Sequence, residues 1–293
     1  MIIHELLSAV GASLVMLAAA VPTPARAQTA AQPAAQPATQ PAASDTSVLA
    51  VASNDSAAAS QSVASRPFSV GEQLDYTVAV GGAKVGAGKM ELLGIEDVRG
   101  EDTYHARFSV EGGFLMFKVN DVLESWFDTE TLSSRRFIQN IHEVSYKKNR
   151  YYDIYPERGV LHQKGYDEMP TVQKPLDDAS FLYFVRTVPL EVGKTYTFDR
   201  YFRPDRNPVV VKVLRKEKIE VPAGTFNTIV IQPIIKSQGI FEEGGEAQMW
   251  LTDDDRRMMV QFKAKVPYLK TLDLYLSSFK GTIAPDGGAA QTP

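Results

Sequence analysis

The sequence predicts an all-β protein. It reads as antiparallel meanders from an internal duplication, two six-stranded repeats curled into a large barrel, half-barrel or sandwich, with one short linking helix. Three observations carry that expectation. From Pro67 to about Lys280, short runs rich in β-branched and aromatic residues alternate apolar with polar positions, and Gly, Asn and Asp separate them. The stretch Trp126-Phe127-Asp128, followed by Arg135-Arg136-Phe137, returns as Trp250-Leu251-Thr252-Asp253, followed by Arg256-Arg257-Met258. Other matches keep nearly the same spacing, which is 122 residues from Gly71 to Gly193. Gly71-Glu72-x-Leu74-x-Tyr76 aligns with Gly193-Lys194-x-Tyr196-x-Phe198, Thr103-Tyr104 with Thr225-Phe226, and Tyr146 with Tyr268.

Taken in order, the chain opens with an apolar run over residues 6–21, and Pro22 and Pro24 come after it, before Ala25-Arg26-Ala27. An apolar segment ending in a small-x-small triplet is the pattern of a secretory signal peptide, here residues 1–27 with cleavage after Ala27. Left uncleaved, the same run is nearly long enough to anchor the protein in a bilayer. Both outcomes place the rest of the chain outside the cytoplasm, in the periplasm or at the outer membrane. Residues 28–66 are mostly Ala, Gln, Pro, Ser and Thr. Such a stretch buries too little apolar surface to offset its ordering entropy, so a disordered linker is expected. A single β domain is expected over 67–281, with repeats at about 70–163 and 192–280, and a disordered tail over 282–293.

Strands are expected near 73–80, 84–98, 102–111, 117–128, 134–145 and 147–155, with a short extra one at 159–163. The second set falls near 194–202, 208–221, 225–237, 246–252, 257–266 and 270–279. Short turns between consecutive strands imply antiparallel pairing. Between the repeats, residues 176–186 read as a helix. Asp177 or Asp178 is a good N-cap, Pro189 ends the run, and Phe181, Leu182 and Val185 share a face beside Phe184. The helix is expected to plug a sheet opening, with a mobile lid as the alternative.

Composition excludes several functions. The net charge is −4 and the pI about 5.7, with no basic stretch to track phosphates, so nucleic acid is not an expected partner. The chain has no cysteine, which removes disulfides, thiol nucleophiles and thiolate metal sites. His4, His105, His142 and His162 lack the spacing of a metal pair, so no metal or cofactor is expected. The serines form no G-x-S-x-G elbow.

The candidate sites are apolar. Phe114, Leu115, Met116 and Phe117 lie where a polar turn would be expected, so this tip is a candidate contact with an acyl chain, a membrane or a partner. Trp126 and Trp250 either line a ligand cavity or anchor the core. Phe181 and Phe184 are placed at the mouth of an interior cavity. Asp128 and Asp253 fall between strands, where Asp forms turns, and Asp–Arg pairing with Arg136 and Arg257 is expected there. A glycan-active hydrolase would instead need Asp128 and Asp253 to face each other across a groove.

Several stretches arrive in a fixed order: Gly71-Glu72-x-Leu74-x-Tyr76, Gly86-Ala87-Gly88, Asp121-x-x-Glu124-Ser125 and Val221-Pro222-Ala223-Gly224-Thr225-Phe226. Trp250-Leu251-x-Asp253-Asp254-x-Arg256-Arg257 and Val266-Pro267 come next. As a set, over about 67–280, they resemble the bacterial family called domain of unknown function 3108. Tyr268-Leu269-Lys270 departs from the small residues expected after Val266-Pro267. The resemblance implies an envelope protein of Gram-negative-type bacteria with no assigned activity. A looser fold-level similarity is to half-barrels that carry lipoproteins or lipids. The leading expectation is a non-catalytic carrier or binding module for an apolar or amphiphilic envelope ligand. The alternative is a structural or protein-interaction component of the envelope, and hydrolase activity ranks last.

Overall fold

The computed structural model describes residues 66–114, 117–143, 146–235, 247–266 and 270–281. They form one antiparallel sheet of fourteen strands. The first half holds β1 (Gln73–Val80), β2 (Ala83–Asp97), β3 (Asp102–Phe114), β4 (Phe117–Asp128), β5 (Ser134–Glu143), β6 (Tyr146–Tyr155), β7 (Val160–Gln163) and β8 (Glu168–Pro170). Helix α1 (Asp178–Phe184) comes next, continued by a 3-10 turn at Val185–Thr187. The second half holds β9 (Thr195–Phe198), β10 (Val209–Val221), β11 (Gly224–Ile235), β12 (Gln248–Thr252), β13 (Met259–Val266) and β14 (Lys270–Lys280). The order runs from β8 back to β1, crosses to β14, and returns to β9. Every neighbour is consecutive in the chain except β1 with β14. No ladder joins β8 to β9, so the sheet is open rather than a closed barrel.

The duplication is visible in repeated local geometry. Gly71 N–H donates to Leu92 C=O (2.8 Å) and Leu92 N–H to Glu72 C=O (2.9 Å). Gly193, Val213 and Lys194 repeat both bonds at 2.9 Å. Bulges fall at Leu92/Gly94 and Val213/Arg215, and again at Trp126/Phe127 and Trp250/Leu251. The Thr103 hydroxyl donates to Glu96 C=O at 2.7 Å, and the Thr228 hydroxyl does the same to Glu217 C=O at 2.7 Å. Thr103 therefore corresponds to Thr228, not to the Thr225 that sequence spacing selects. The second hairpin is longer at that turn, which a constant offset hides.

Two departures from the expected strands have one cause. β9 ends at Phe198 rather than near 202, and β8 is an additional strand. Past Phe198 the backbone leaves the sheet for the segment before α1. Phe202 N–H donates to Leu176 C=O (3.0 Å), and Leu176 bridges Tyr201 in parallel. By the repeat, β9 corresponds to β1 and β14 to β6. β1 pairs with β14, so symmetry would pair β6 with β9; β7 occupies that edge of β6 instead.

Strand alternation builds one contiguous core. On β3, Tyr104, Ala106 and Phe108 are buried with the core, while His105 and Arg107 fall on the other face. α1 lies inside this core, packed against β3 and β4. Its N-terminus is held by a reciprocal capping box. Asp177 Oδ1 accepts from the backbone N–H groups of Ala179 (2.8 Å) and Ser180 (2.9 Å), and Ser180 Oγ accepts from Asp177 N–H (2.9 Å). Tyr183 packs against Phe68 (5.1 Å) and Phe127 (5.4 Å) of the first half. Phe184 meets Phe198 of the second half edge to face at 5.0 Å. Burying each such ring stabilises by about 1.5–3 kcal/mol. The helix thus plugs the space between the halves.

Candidate functional site

The interior is the first place a carrier would hold cargo, and side chains occupy it. Phe181 and Phe184 are 4% and 1% exposed, which makes them core residues and not the mouth residues expected from sequence. A seven-residue helix buries them because only one of its large apolar side chains, Leu182, is left partly exposed. Around its N-terminus the core is polar. Ser125 Oγ donates to Asp177 Oδ2 (2.5 Å), Asp177 N–H donates to Ser134 Oγ (3.0 Å), and the Ser134 and Ser180 hydroxyls pair at 2.9 Å. Tyr201 OH donates to Asp178 Oδ1 (2.9 Å). Burial pushes the Asp177 carboxyl up to about 6, against hydrogen bonds from Ser125 and Ser180 that hold it down. A perturbed carboxyl near serines is a pattern that also marks catalytic sites. Here its hydrogen-bond partners are serine hydroxyls and helix N–H groups rather than a histidine, and Asp177, Ser125 and Ser180 are each 0% exposed. The arrangement caps and pins α1.

By strand alternation the two tryptophans fall on the opposite face of their strands from the fully buried Phe127 and Leu251. Trp126 Nε1–H donates to Glu96 Oε2 at 2.7 Å, and Trp250 Nε1–H to Glu217 Oε1 at 2.6 Å. In the first repeat His105 stacks on Trp126 (4.1 Å, 14°), with Glu96 at 2.9 Å from Nδ1 and Glu124 at 3.3 Å from Nε2. Arg107 holds Glu124 at 2.8 Å, and the Arg136 guanidinium lies 5.7 Å above Trp126. In the second repeat Arg215 takes that place, 6.0 Å over Trp250 and 2.8 Å from Glu217. The Trp126 hydrogen bond holds Glu96 below the usual carboxylate range, and Arg215 does so for Glu217. Sequence reading did not single out Glu96 or Glu217, and met Glu124 only within a stretch that carries the family resemblance, because cross-strand register alone brings them to the rings. Both tryptophans are buried under these partners.

The expected turn residues divide. Asp128 caps the β4–β5 turn: its Oδ1 accepts from Glu130 N–H (3.0 Å), Thr131 N–H (2.8 Å) and the Thr131 hydroxyl (3.0 Å). Its arginine partner is Arg135 (3.3 Å), not Arg136, which points to the tryptophan face and pairs with Asp153 at 3.3 Å. In the β12–β13 turn Asp254, not Asp253, does the capping, through Arg256 N–H and Arg257 N–H and a 2.6 Å pair with the Arg256 guanidinium. Asp253 binds Lys216 (2.7 Å) and Arg257 (3.6 Å). Burial raises the Asp254 carboxyl, but Arg256 and Thr252 outweigh it and hold it low. The carboxylates a hydrolase would need are thus engaged in separate turns. Among the described residues no three His, Asp or Glu side chains are placed to hold a metal. Phe114 and Phe117 are backbone register partners at the end of the β3–β4 ladder; Leu115 and Met116 lie outside the described residues.

Three comparisons bear on this geometry. The family described as a protein of unknown function, DUF3108, matches residues 75–276. No curated protein matches the sequence. Among solved structures, a β-barrel-like protein of domain of unknown function DUF1849 from Brucella abortus is similar at 9% identity, with a TM-score of 0.48 over 72% of this chain and 97% of that one. A protein from Parabacteroides distasonis, provisionally described as a lipoprotein, reaches a TM-score of 0.32 at 10% identity, over 74% of this chain and 98% of that one. A provisionally described exported protein with a YmcC-like fold from Bacteroides fragilis reaches 0.27 at 11% identity, over 73% and 98%.

Proposed function

Starting from the premise that this chain belongs to the DUF3108 family, whose description assigns no activity, we propose that it is a non-catalytic interaction component of the cell envelope. The observation that carries this reading is the filled interior, with α1 and its buried rings where a carrier would keep its cargo. Export is part of the proposal, and the apolar run with its Ala25-Arg26-Ala27 triplet supports it. An interior packed around α1 leaves the outer face, the hairpin ends and the open sheet edge as working surfaces. The β3–β4 end, with its Phe114–Phe117 rung, is the first of these. The carrier form of the reading requires α1 to leave the core, which would expose Phe181, Tyr183 and Phe184 and open the capping box.

Native mass spectrometry of the protein purified from its own envelope, followed by organic extraction, separates the two forms. The expected result is the mass of the polypeptide alone. A photo-cross-linker at position 114 should then give one discrete protein adduct, which excess unlabelled protein competes away. A stoichiometric lipid released by extraction would overturn the proposal in favour of a carrier that opens around α1.

A further inference from the structure

Where symmetry would pair β6 with β9, the sheet instead leaves a recess. β7 and β8 continue the sheet beyond β6, and the 3-10 turn Pro204–Arg206 shares a cavity with them. Between them is a cavity of about 280 Å³, lined by Tyr152, Leu161, Met169 and Pro170 on one side and by Arg203, Pro204 and Asp205 on the other. Its floor is rigid. Tyr152 stacks on Phe137 (6.1 Å) and meets Phe202 edge to face (5.3 Å). Met169 supplies an adaptable wall.

The size and lining select a ligand class. A benzene-sized guest occupies an apolar cavity of about 150 Å³. The recess therefore takes one compact group of up to two fused rings, and not a lipid with two full acyl chains. The polar rim selects charge. Arg203 sits half in the wall, with its side chain 35% exposed, and its nearest acid, Asp205, is 67% exposed and 3.7 Å away. That pair is loose and solvated, so it adds little. A carboxylate or phosphate at the mouth can instead take the guanidinium fork in a bidentate contact. On β8, Glu168 faces the other way and is held by Arg158 at 2.8 Å.

We infer that this recess is a binding site for a small amphiphilic anion, with its ring-sized apolar group on Tyr152, Leu161 and Met169 and its charge on Arg203. The site is independent of the proposed interaction role and stands or falls separately.

The test uses the full chain with its methionine methyl groups labelled for NMR, and 2-naphthoate as the probe. The Met169 methyl signal, assigned with Met169→Leu, should shift saturably while the other methionines stay in place. Arg203→Gln should weaken 2-naphthoate about fivefold, the loss of one solvated charge-assisted contact, and leave the neutral probe 2-naphthol unchanged. Met169→Trp should fill the recess and abolish binding of both probes at an unchanged melting temperature. Shifts spread over the core methionines, or no saturable shift, would overturn the site. An Arg203→Gln protein that binds 2-naphthoate as well as the parent would overturn the anionic half of the assignment. Arg203 is on the rim, so that variant keeps the inference testable even if Met169→Trp does not fold.

Discussion

Asp177 holds α1 with a carboxyl group that the fold keeps dry, and that makes stability depend on pH in an unusual direction. Its ordinary value is 3.8 and burial lifts it to about 6. A raised acid binds its proton more tightly in the folded state. The burial cost is therefore fully present above pH 6 and is relieved as pH falls toward 4. Glu96, Glu217 and Asp254 act oppositely: their carboxyls are held low in the fold, and their contributions are lost on acidification. Asp177→Asn isolates the first effect. Relative to the parent, the variant should be more stable at pH 7 than at pH 4 by on the order of 3 kcal/mol, read from urea midpoints at the two values. Equal differences at both pH values would show that the charge is not what burial penalises. The N-cap itself was legible in Leu176-Asp177-Asp178-Ala179-Ser180. The titration was not, because Ser125 and Ser134 reach Asp177 from 52 and 43 residues away.

Among the elements, β2 and β3 meet at a point that admits only glycine. Gly86 and Gly112 are cross-strand partners, and a Cβ on either would run into backbone of the other strand, the carbonyls of Glu111 and Val85. Gly88, two residues on, has room: its added Cβ would meet Tyr76, Ser109 and Val78 at 3.5–3.6 Å. Gly112→Ala should cost roughly 1–3 kcal/mol by crowding, and Gly88→Ala should change stability much less. Thermal melts of the pair decide it, and equal losses would mean the strands can part locally. Most strands were legible because alternation and turn residues are local signals. β8 was not, since Glu168-Met169-Pro170 is too short to alternate and exists only because β7 offers it an edge. The recess beside Met169 was illegible for the same reason. The expected Asp253–Arg257 pair of the second long turn is present at 3.6 Å, but the capping role of Asp254 was not legible, because three adjacent aspartates look alike until the Thr252 and Arg256 contacts distinguish them.

At the scale of the whole molecule, an ion pair ties distant parts together. Arg186, just past α1, donates to Glu72 (2.5 and 2.9 Å), to the Pro67 carbonyl (2.7 Å) and to the Arg256 carbonyl (2.8 Å). Both charged side chains are almost wholly buried, at 0% and 1% exposure. Glu72→Gln leaves the guanidinium buried without its counter-charge and should cost about 3–5 kcal/mol, measured by urea unfolding. Glu72→Leu combined with Arg186→Met should recover most of that loss; a double variant as weak as the single would mean the pair is net stabilising in itself. Duplication and all-β class were readable from spacing. Openness was not, because it depends on which strand reaches the β6 edge first. The one long-range ladder, β1 with β14, has a mechanical consequence. Gln73 pairs with Lys280, so both ends of the described chain leave from the same end of that ladder, and Ser69 touches Gly281 there at 3.0 Å. A force drawing those ends apart meets the rungs one at a time and peels the seam open like a zip, whereas the same force between Gln73 and a hairpin at the far end of the sheet would load many rungs together. Held by its two ends, the domain is a weak link; held by one end and a far hairpin, it is a strong one.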